Sequence, residues 1–300
     1  MNYRMIDFQQ HGDARGMLVA MEGGKEIPFK VRRVYYMYDT GETVRCRRHV
    51  HRKLEQILIC VHGSCKIHLN DGTETDEVFL NKTDVGLYLS QDIWREIYDF
   101  SNDAVLLVLA SENYDESDYI KEDYKEFSGK NSGSIEPSYR MMPLEAALFH
   151  ARSGLLFRDK NDSIIDKPYQ MSKNIYGSCK IGIVDGMQDI PFDIQRAFYI
   201  YNTVEGVVRG CHSNRKSQFA LICLSGTCRV RVRKSDDQNA DEIFLLDKPD
   251  KVLVLSVMAW KEMYDFRSDT VLLCLSSEKY DAQEYVRDFS EFLEFVNDMG

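Results

Sequence analysis

The chain has 300 residues, a length that suggests two domains of average size, and its 44% hydrophobic and 29% charged residues are globular proportions. Its 38 basic and 48 acidic side chains give a formal charge of −10, which opposes general attraction to nucleic-acid phosphate. No apolar run approaches the roughly 18 to 20 residues of a membrane helix, and the opening MNYRMIDFQQHGDARG has no apolar signal core, so a cytoplasmic protein with no membrane or nucleic-acid partner is expected.

In chain order, strand-like runs begin with KVRRVYYMY (30–38) and continue through EQILICV, CKIHLN, DEVFL, VGLYLS and AVLLVLA (104–110), divided by the turn signals HGS, LNDG and FSND. A short helix is predicted around SDYIKEDYKEF (117–127), and the Ser-, Gly- and Asn-rich SGKNSGSIEPS that follows reads as a linker. MMPLEAALFHAR fits one or two helical turns, and opening strands of a second unit follow from about residue 163. Five of the eight cysteines, Cys60, Cys65, Cys223, Cys228 and Cys274, fall in apolar strand-like runs, and no CxxC pair occurs, as for buried thiols in a reducing compartment.

The second half repeats the first. IPFKVRRVYYMYDT (27–40) recurs as IPFDIQRAFYIYNT (190–203), and HRKLEQILICVHGSCKI (51–67) as NRKSQFALICLSGTCRV (214–230), both at an offset of 163. WREIYDFSNDAVLLVLASENYDESDYI (94–120) recurs as WKEMYDFRSDTVLLCLSSEKYDAQEYV (260–286) at an offset of 166, which puts three extra residues between about 233 and 250. The predicted fold class is all-β, with two tandem jelly-roll barrels, each closed by a short C-terminal helix, the second around AQEYVRDFSEFLEFV. The expected domains are 1–135, a linker over 136–162, and 163–300.

The chemistry concentrates in RRHVHRKLEQILICVHGS. His49 and His51 stand two apart on a predicted strand and so share one face, lumen or solvent. Gln56 and Gly63 follow at the spacing at which the first cupin motif has a metal-binding Glu and a turn Gly, with Glu55 one position away, and QDIWREIYDF offers Arg95 instead of a further His. Two imidazoles beside a cation do not supply the three or four convergent donors of a divalent ion, so no metal is expected. His11, His62, His68 and His150 have no partnered spacing and read as surface or turn positions, and the acidic run NYDESDYIKEDYKE reads as a solvated helical face.

RGxL at Arg15, Gly16 and Leu18, IPFxxxRVYYxYDT, HxHRKLEQxLxCxxGSC, VGLY, WxExxDFSxD and YDExDYI together resemble the WxcM-like sugar-nucleotide 3,4-ketoisomerases, the dTDP-4-keto-6-deoxyglucose 3,4-ketoisomerase family, over nearly all of residues 3–127. Residues 170–293 resemble it more weakly. The resemblance implies a cupin jelly roll, a dimer, catalytic histidines at His49 and His51, and movement of a carbonyl between C4 and C3 of a dTDP-linked 4-keto-6-deoxyhexose with no metal or redox cofactor. The chemistry agrees, since a ketone acidifies the neighbouring C3 proton and an imidazole titrating near neutral pH can remove it. His49 is assigned as the base and His51 as the shuttle to C4 or the oxygens, although either order satisfies the reaction. Arg95 and Tyr36 are candidates to stabilise the oxyanion, Arg15 and Arg33 to bind the diphosphate, and Gln56 to contact substrate.

Two departures stand out. Copy one reads Cys46-Arg47-Arg48 where the family has Arg-Gly and an aromatic, and copy two keeps Arg209-Gly210. Copy two also has His212 for His49, but Asn214 for His51, Lys261 for Arg95 and Ser178 for Arg15. An amide exchanges no protons near neutral pH, so copy two is expected to be structural, pairing with copy one within the chain as a second subunit would, with a homodimer of such chains as a further option. A non-catalytic bicupin that binds a nucleotide sugar, or serves as a regulatory subunit, is the alternative from another class.

Overall fold

Runs of Val, Ile, Leu and Tyr punctuated every few residues by Gly, Asn and Asp leave little room for helix, and the chain folds almost entirely as short antiparallel strands. The computed structural model describes residues 1–40, 46–115, 118–120, 169–170, 174–176, 179–233, 235 and 240–299, with 46–49, 119–120, 169–170, 174–176 and 298–299 described by backbone alone. The expected linker over 136–162 lies outside the described residues.

The first repeat supplies β1 (Tyr3–Asp7), β2 (Gln10–Asp13), β3 (Gly16–Glu22), β4 (Arg33–Tyr38), β5 (Cys46–His51), β6 (Gln56–His62), β7 (Cys65–Asn70), β8 (Thr75–Leu80), β9 (Val85–Leu89), β10 (Trp94–Tyr98), β11 (Val105–Ala110) and β12 (Tyr119–Ile120). The second supplies β13 (Tyr169–Gln170), β14 (Asn174–Tyr176), β15 (Cys179–Asp185), β16 (Arg196–Tyr201), β17 (Arg209–Asn214), β18 (Phe219–Ser225), β19 (Cys228–Arg233), β20 (Glu242–Leu246), β21 (Lys251–Leu255), β22 (Trp260–Tyr264), β23 (Val271–Ser276), β24 (Tyr285–Val286) and the helix α1 (Phe289–Met299). The helix expected around 117–127 begins instead with β12, and 121–127 lie outside the described residues. Among the described residues no helix is long and apolar enough to cross a membrane.

These strands form two units, each a seven-stranded and a five-stranded sheet. The first unit has the orders β1-β9-β6-β11-β4-β15-β14 and β12-β5-β10-β7-β8; the second has β13-β21-β18-β23-β16-β3-β2 and β20-β19-β22-β17-β24. The units do not follow the sequence halves. Phe8 to Arg32 of the first repeat, including β2 and β3, belong to the second unit, and β14 with β15 up to Ile183 belong to the first. In the second unit β3 pairs with β16 over six residues, from Arg196↔Glu22 to Tyr201↔Met17. An unpaired strand edge is costly, and each long sheet covers the outer edge of β4 or β16 with a strand drawn from the other repeat.

Strands β4, β6 and β11 are buried on both faces, which is why VYYMY and VLLVLA show no alternation. Within the first unit one face of the long sheet packs Tyr35, Met37, Leu58, Cys60, Leu106 and Val108 against Ile67, Leu69 and Ile97 of the short sheet. The second unit repeats this core with Ile200, Leu221, Cys223, Val230, Met263 and Cys274. The β18–β19 hairpin turns at Gly226, at φ +66°, where a Cβ would lie 2.7 Å from the Thr270 Cα. Gly226→Ala is therefore expected to destabilise the protein by about 1–3 kcal/mol, through both a left-handed backbone and a clash with main chain, and an unchanged urea midpoint would contradict this.

Candidate active site

Register fixes what lines the interior of the first unit. Arg33, Ala110, Gln56 and Leu89 are partners across β4, β11, β6 and β9, and Tyr35, Val108, Leu58 and Leu87 form the next row on the same face. Below that row the interior is apolar, so the polar groups gather at one end of the barrel. There the Gln56 amide Nε2 donates to the Tyr35 hydroxyl at 2.7 Å. Gln56 Oε1 is buried with no hydrogen-bond partner among the described residues, leaving an acceptor open in the lumen.

On the short sheet, β10 pairs Arg95 with Leu69 on one side and with His49 on the other. Leu69 and Ile97 are core residues, which puts Arg95 on the inner face, and its side chain is 1% exposed. A register irregularity separates the Arg95↔His49 and Ile97↔Cys46 pairs, so the bulge lies before His49 and leaves the step from His49 to His51 regular. His51, also 1% exposed, has Nδ1 2.9 Å from Asp118 Oδ2. Asp118 Oδ1 accepts from the Lys53 amide at 2.8 Å, and its carbonyl accepts from the Arg52 amide at 3.2 Å. A carboxylate only accepts, so Nδ1 carries the proton in this pair.

Several expected residues converge here and two do not. Arg33 shares the inner row with Gln56, with its guanidinium 5.2 Å from the Tyr114 ring. Gln56, not Glu55, faces the lumen, because Glu55 hydrogen-bonds the Tyr88 hydroxyl on the opposite face, where burial and that carboxylate push Tyr88 up to about 12. With an amide and a cation at the positions a carboxylate and a further imidazole would need, the donor set does not fit a divalent ion. Tyr36 is a correction: it is buried on the face away from Tyr35, against Gly182, where a Cβ would lie 2.6 Å from its hydroxyl. Tyr35 is the lumen phenol. Arg15 is a second correction, since strand exchange places it in the second unit, paired with Asp13 at 2.7 Å. Asp118 is a residue the sequence does not single out, since it lies within the acidic run NYDESDYIKEDYKE.

In the second unit the matching positions form a closed network. Lys261 Nζ donates to Asn214 Oδ1 at 2.6 Å and lies 4.6 Å over the Phe219 ring. Asn214 Nδ2 donates to Glu284 Oε1 at 3.1 Å, and Glu284 Oε2 takes the Ser217 amide at 2.9 Å. Phe219 and Phe198 stand where Gln56 and Tyr35 stand in the first unit, edge to face with centroids 6.3 Å apart. Burial and then the Lys261 charge push His212 down to about 3, with its Nδ1 2.9 Å from the Gly210 carbonyl oxygen. Burial alone lowers Lys261 to about 7, from an ordinary value of 10.5. The unfolded chain then binds more protons between those values, so stability should rise with pH from about 7 to 10.5, and Lys261→Met should flatten that rise in pH-dependent unfolding.

Residues 1–132 and 166–297 match the WxcM-like, C-terminal family. The TDP-4-oxo-6-deoxy-alpha-D-glucose-3,4-oxoisomerase of Aneurinibacillus thermoaerophilus is 47% identical over 133 residues, covering 43% of this chain and 95% of that protein. Among solved structures, a 3,4-ketoisomerase from Helicobacter canadensis is 46% identical, with 43% of this chain and 96% of that one covered and a TM-score of 0.42. A mutant 3,4-ketoisomerase from Thermoanaerobacterium thermosaccharolyticum in complex with TDP-4-keto-6-deoxyglucose is 42% identical, with 43% and 92% covered and a TM-score of 0.41. With both repeats matched, the chain belongs to the WxcM-like, C-terminal family.

Proposed function

We propose that this chain is a sugar-nucleotide 3,4-ketoisomerase that works through its first unit, converting dTDP-4-keto-6-deoxy-D-glucose to a dTDP-3-keto-6-deoxyhexose. The observation that carries the reading is the buried His51–Asp118 pair at the polar end of the lumen, with Arg95 in register with His49. His49 takes the C3 proton, electron density moves onto O4, and O4 is protonated to give the enediol. His51, held by Asp118 with Nε2 as its exchangeable nitrogen, delivers a proton to C4 while the C3 hydroxyl gives one up, leaving the ketone at C3. Protons and electrons balance within the sugar, so the reaction as written needs no external electron acceptor.

Arg95 and Tyr35 stabilise the developing oxyanion by charge and hydrogen bonding, with Tyr35 taking the place expected of Tyr36. Arg33 binds phosphate oxygens, and the open Gln56 Oε1 accepts from a sugar hydroxyl. The second unit has a structural role, supported by its closed Lys261–Asn214–Glu284 network, and the second repeat lends the first unit strands that a partner subunit would otherwise supply. Six buried free cysteines among the described residues support a cytoplasmic setting, and a homodimer of such chains is part of this reading. The altered Cys46-Arg47-Arg48 segment favours the second reading, a non-catalytic nucleotide-sugar binder or regulatory subunit.

An NMR time course with dTDP-4-keto-6-deoxyglucose in D₂O separates the two. Isomerisation predicts loss of the C3 proton signal and appearance of a 3-keto sugar, whereas a folded protein that binds substrate without exchange would support the binder. His49→Asn should lower turnover by about 10²- to 10⁴-fold with substrate still bound, and His212→Asn should leave most activity.

A further inference from the structure

Glu55 stands one residue before Gln56, and the proposed chemistry gives it no part. It immediately precedes β6 and points to the opposite face of the long sheet, where its carboxylate accepts from the Tyr88 hydroxyl. Tyr88 lies on β9, opposite Ile57 of β6 and opposite Arg4 of β1, and the Arg4 guanidinium carbon sits 5.0 Å from the centre of its ring. Burial and the carboxylate push the phenol up to about 12, so it stays a donor throughout the neutral range. The main chain at Glu55 is pinned as well, its amide donating to the Ser111 hydroxyl and its carbonyl accepting from the Ser111 amide, each at 3.0 Å.

The second unit has the main-chain part of this arrangement and lacks the side-chain part. Gln218, the counterpart of Glu55, donates from its amide to the Ser277 hydroxyl at 2.9 Å and accepts from the Ser277 amide at 3.1 Å. Tyr88, however, corresponds to Val254, and Gln218 has no carboxylate to offer. The lumen residue that follows differs in step: Phe219 packs edge to face with Phe198, whereas Gln56 holds Nε2 on the Tyr35 hydroxyl and keeps Oε1 open. A ring among apolar neighbours tolerates small displacements of a strand end, and a directional hydrogen bond does not. The strand end that carries the polar lumen residue is the one with the added Arg4–Tyr88–Glu55 chain.

We propose that Glu55, held by Tyr88 and Arg4, is a positioning residue that fixes the start of β6 so that Gln56 Oε1 meets a sugar hydroxyl of the substrate. This role rests on the reading, given under the proposed function, that Gln56 accepts from the sugar. Glu55 itself touches no substrate. It acts through the main chain at residue 56, and it serves recognition of the sugar and not the proton transfers.

Titration calorimetry of the full chain with dTDP-4-keto-6-deoxyglucose and with dTDP, in a His49→Asn background that leaves the sugar unconverted, tests this. Tyr88→Phe, which keeps the ring and its contact with Arg4, should weaken binding of the sugar nucleotide by about three- to tenfold and leave binding of dTDP unchanged. Glu55→Ala should do the same, and Glu55→Gln, which still accepts from the phenol, should restore most of the affinity. With Gln56→Ala also present, Tyr88→Phe should have no further effect, because the side chain it positions is gone. Equal weakening with and without Gln56, equal weakening for dTDP, or undiminished affinity in folded Tyr88→Phe and Glu55→Ala would overturn the positioning role and leave the isomerase reading standing. If Gln56→Ala alone leaves the affinity for the sugar nucleotide unchanged, or the chain does not bind it, the reading of the site fails and the positioning role falls with it.

Discussion

Everything in this fold depends on how two buried strands, β4 and β16, cover their outer edges. Strands β4 and β16 each carry a buried face on both sides, and an exposed row of main-chain donors and acceptors beside them would be both unsatisfied and adhesive. Each edge is sealed by a strand from the other repeat, β15 against β4 and β3 against β16. The exchange ties the duplication together, because neither barrel is complete from its own repeat. It also decides which side chains meet, since residues at the start of one repeat furnish the unit built mainly from the other.

Within that shared frame the two units have diverged at a few positions with opposite chemical results. In the first, an imidazole is held by a carboxylate, a cation lies in register with a second histidine, and an amide oxygen remains open in the lumen. In the second, the corresponding amide, amine and carboxylate satisfy one another, and two phenylalanines replace the polar pair Gln56 and Tyr35. The first arrangement keeps an imidazole whose Nδ1 is held by a carboxylate. In the second, burial and a neighbouring ammonium hold the titration of His212 far below neutral pH.

The duplication and the runs that form β4, β6 to β9 and β11 were legible because repeated blocks and turn residues leave local marks. For residues the sequence singles out, the structure adds the inner-face positions of Gln56, Arg33 and Arg95 and the pairing of His51 with Asp118. Tyr35 and Tyr36 could not be told apart, since VYYMY is buried on both faces and carries no alternation to show which parity points inward. Arg15 was assigned to the wrong unit because an exchange between equivalent strands leaves sequence spacing unchanged. Asp118 was hidden in an acidic run, although an acid at the same place in both copies, Asp118 and Glu284, was a signal that could have found it.

The most direct test of the assignment of chemistry to the first unit compares Asp118→Asn with Glu284→Gln in steady-state turnover of dTDP-4-keto-6-deoxyglucose across pH. If Asp118 orients and supports His51, Asp118→Asn should lower kcat roughly 10- to 100-fold with little change in KM, and move the alkaline limb of the pH profile down as the proton-donating imidazole loses its carboxylate. Glu284→Gln should keep kcat and its pH profile while lowering the unfolding temperature. Equal losses of kcat in the two variants, or a loss confined to Glu284→Gln, would contradict it.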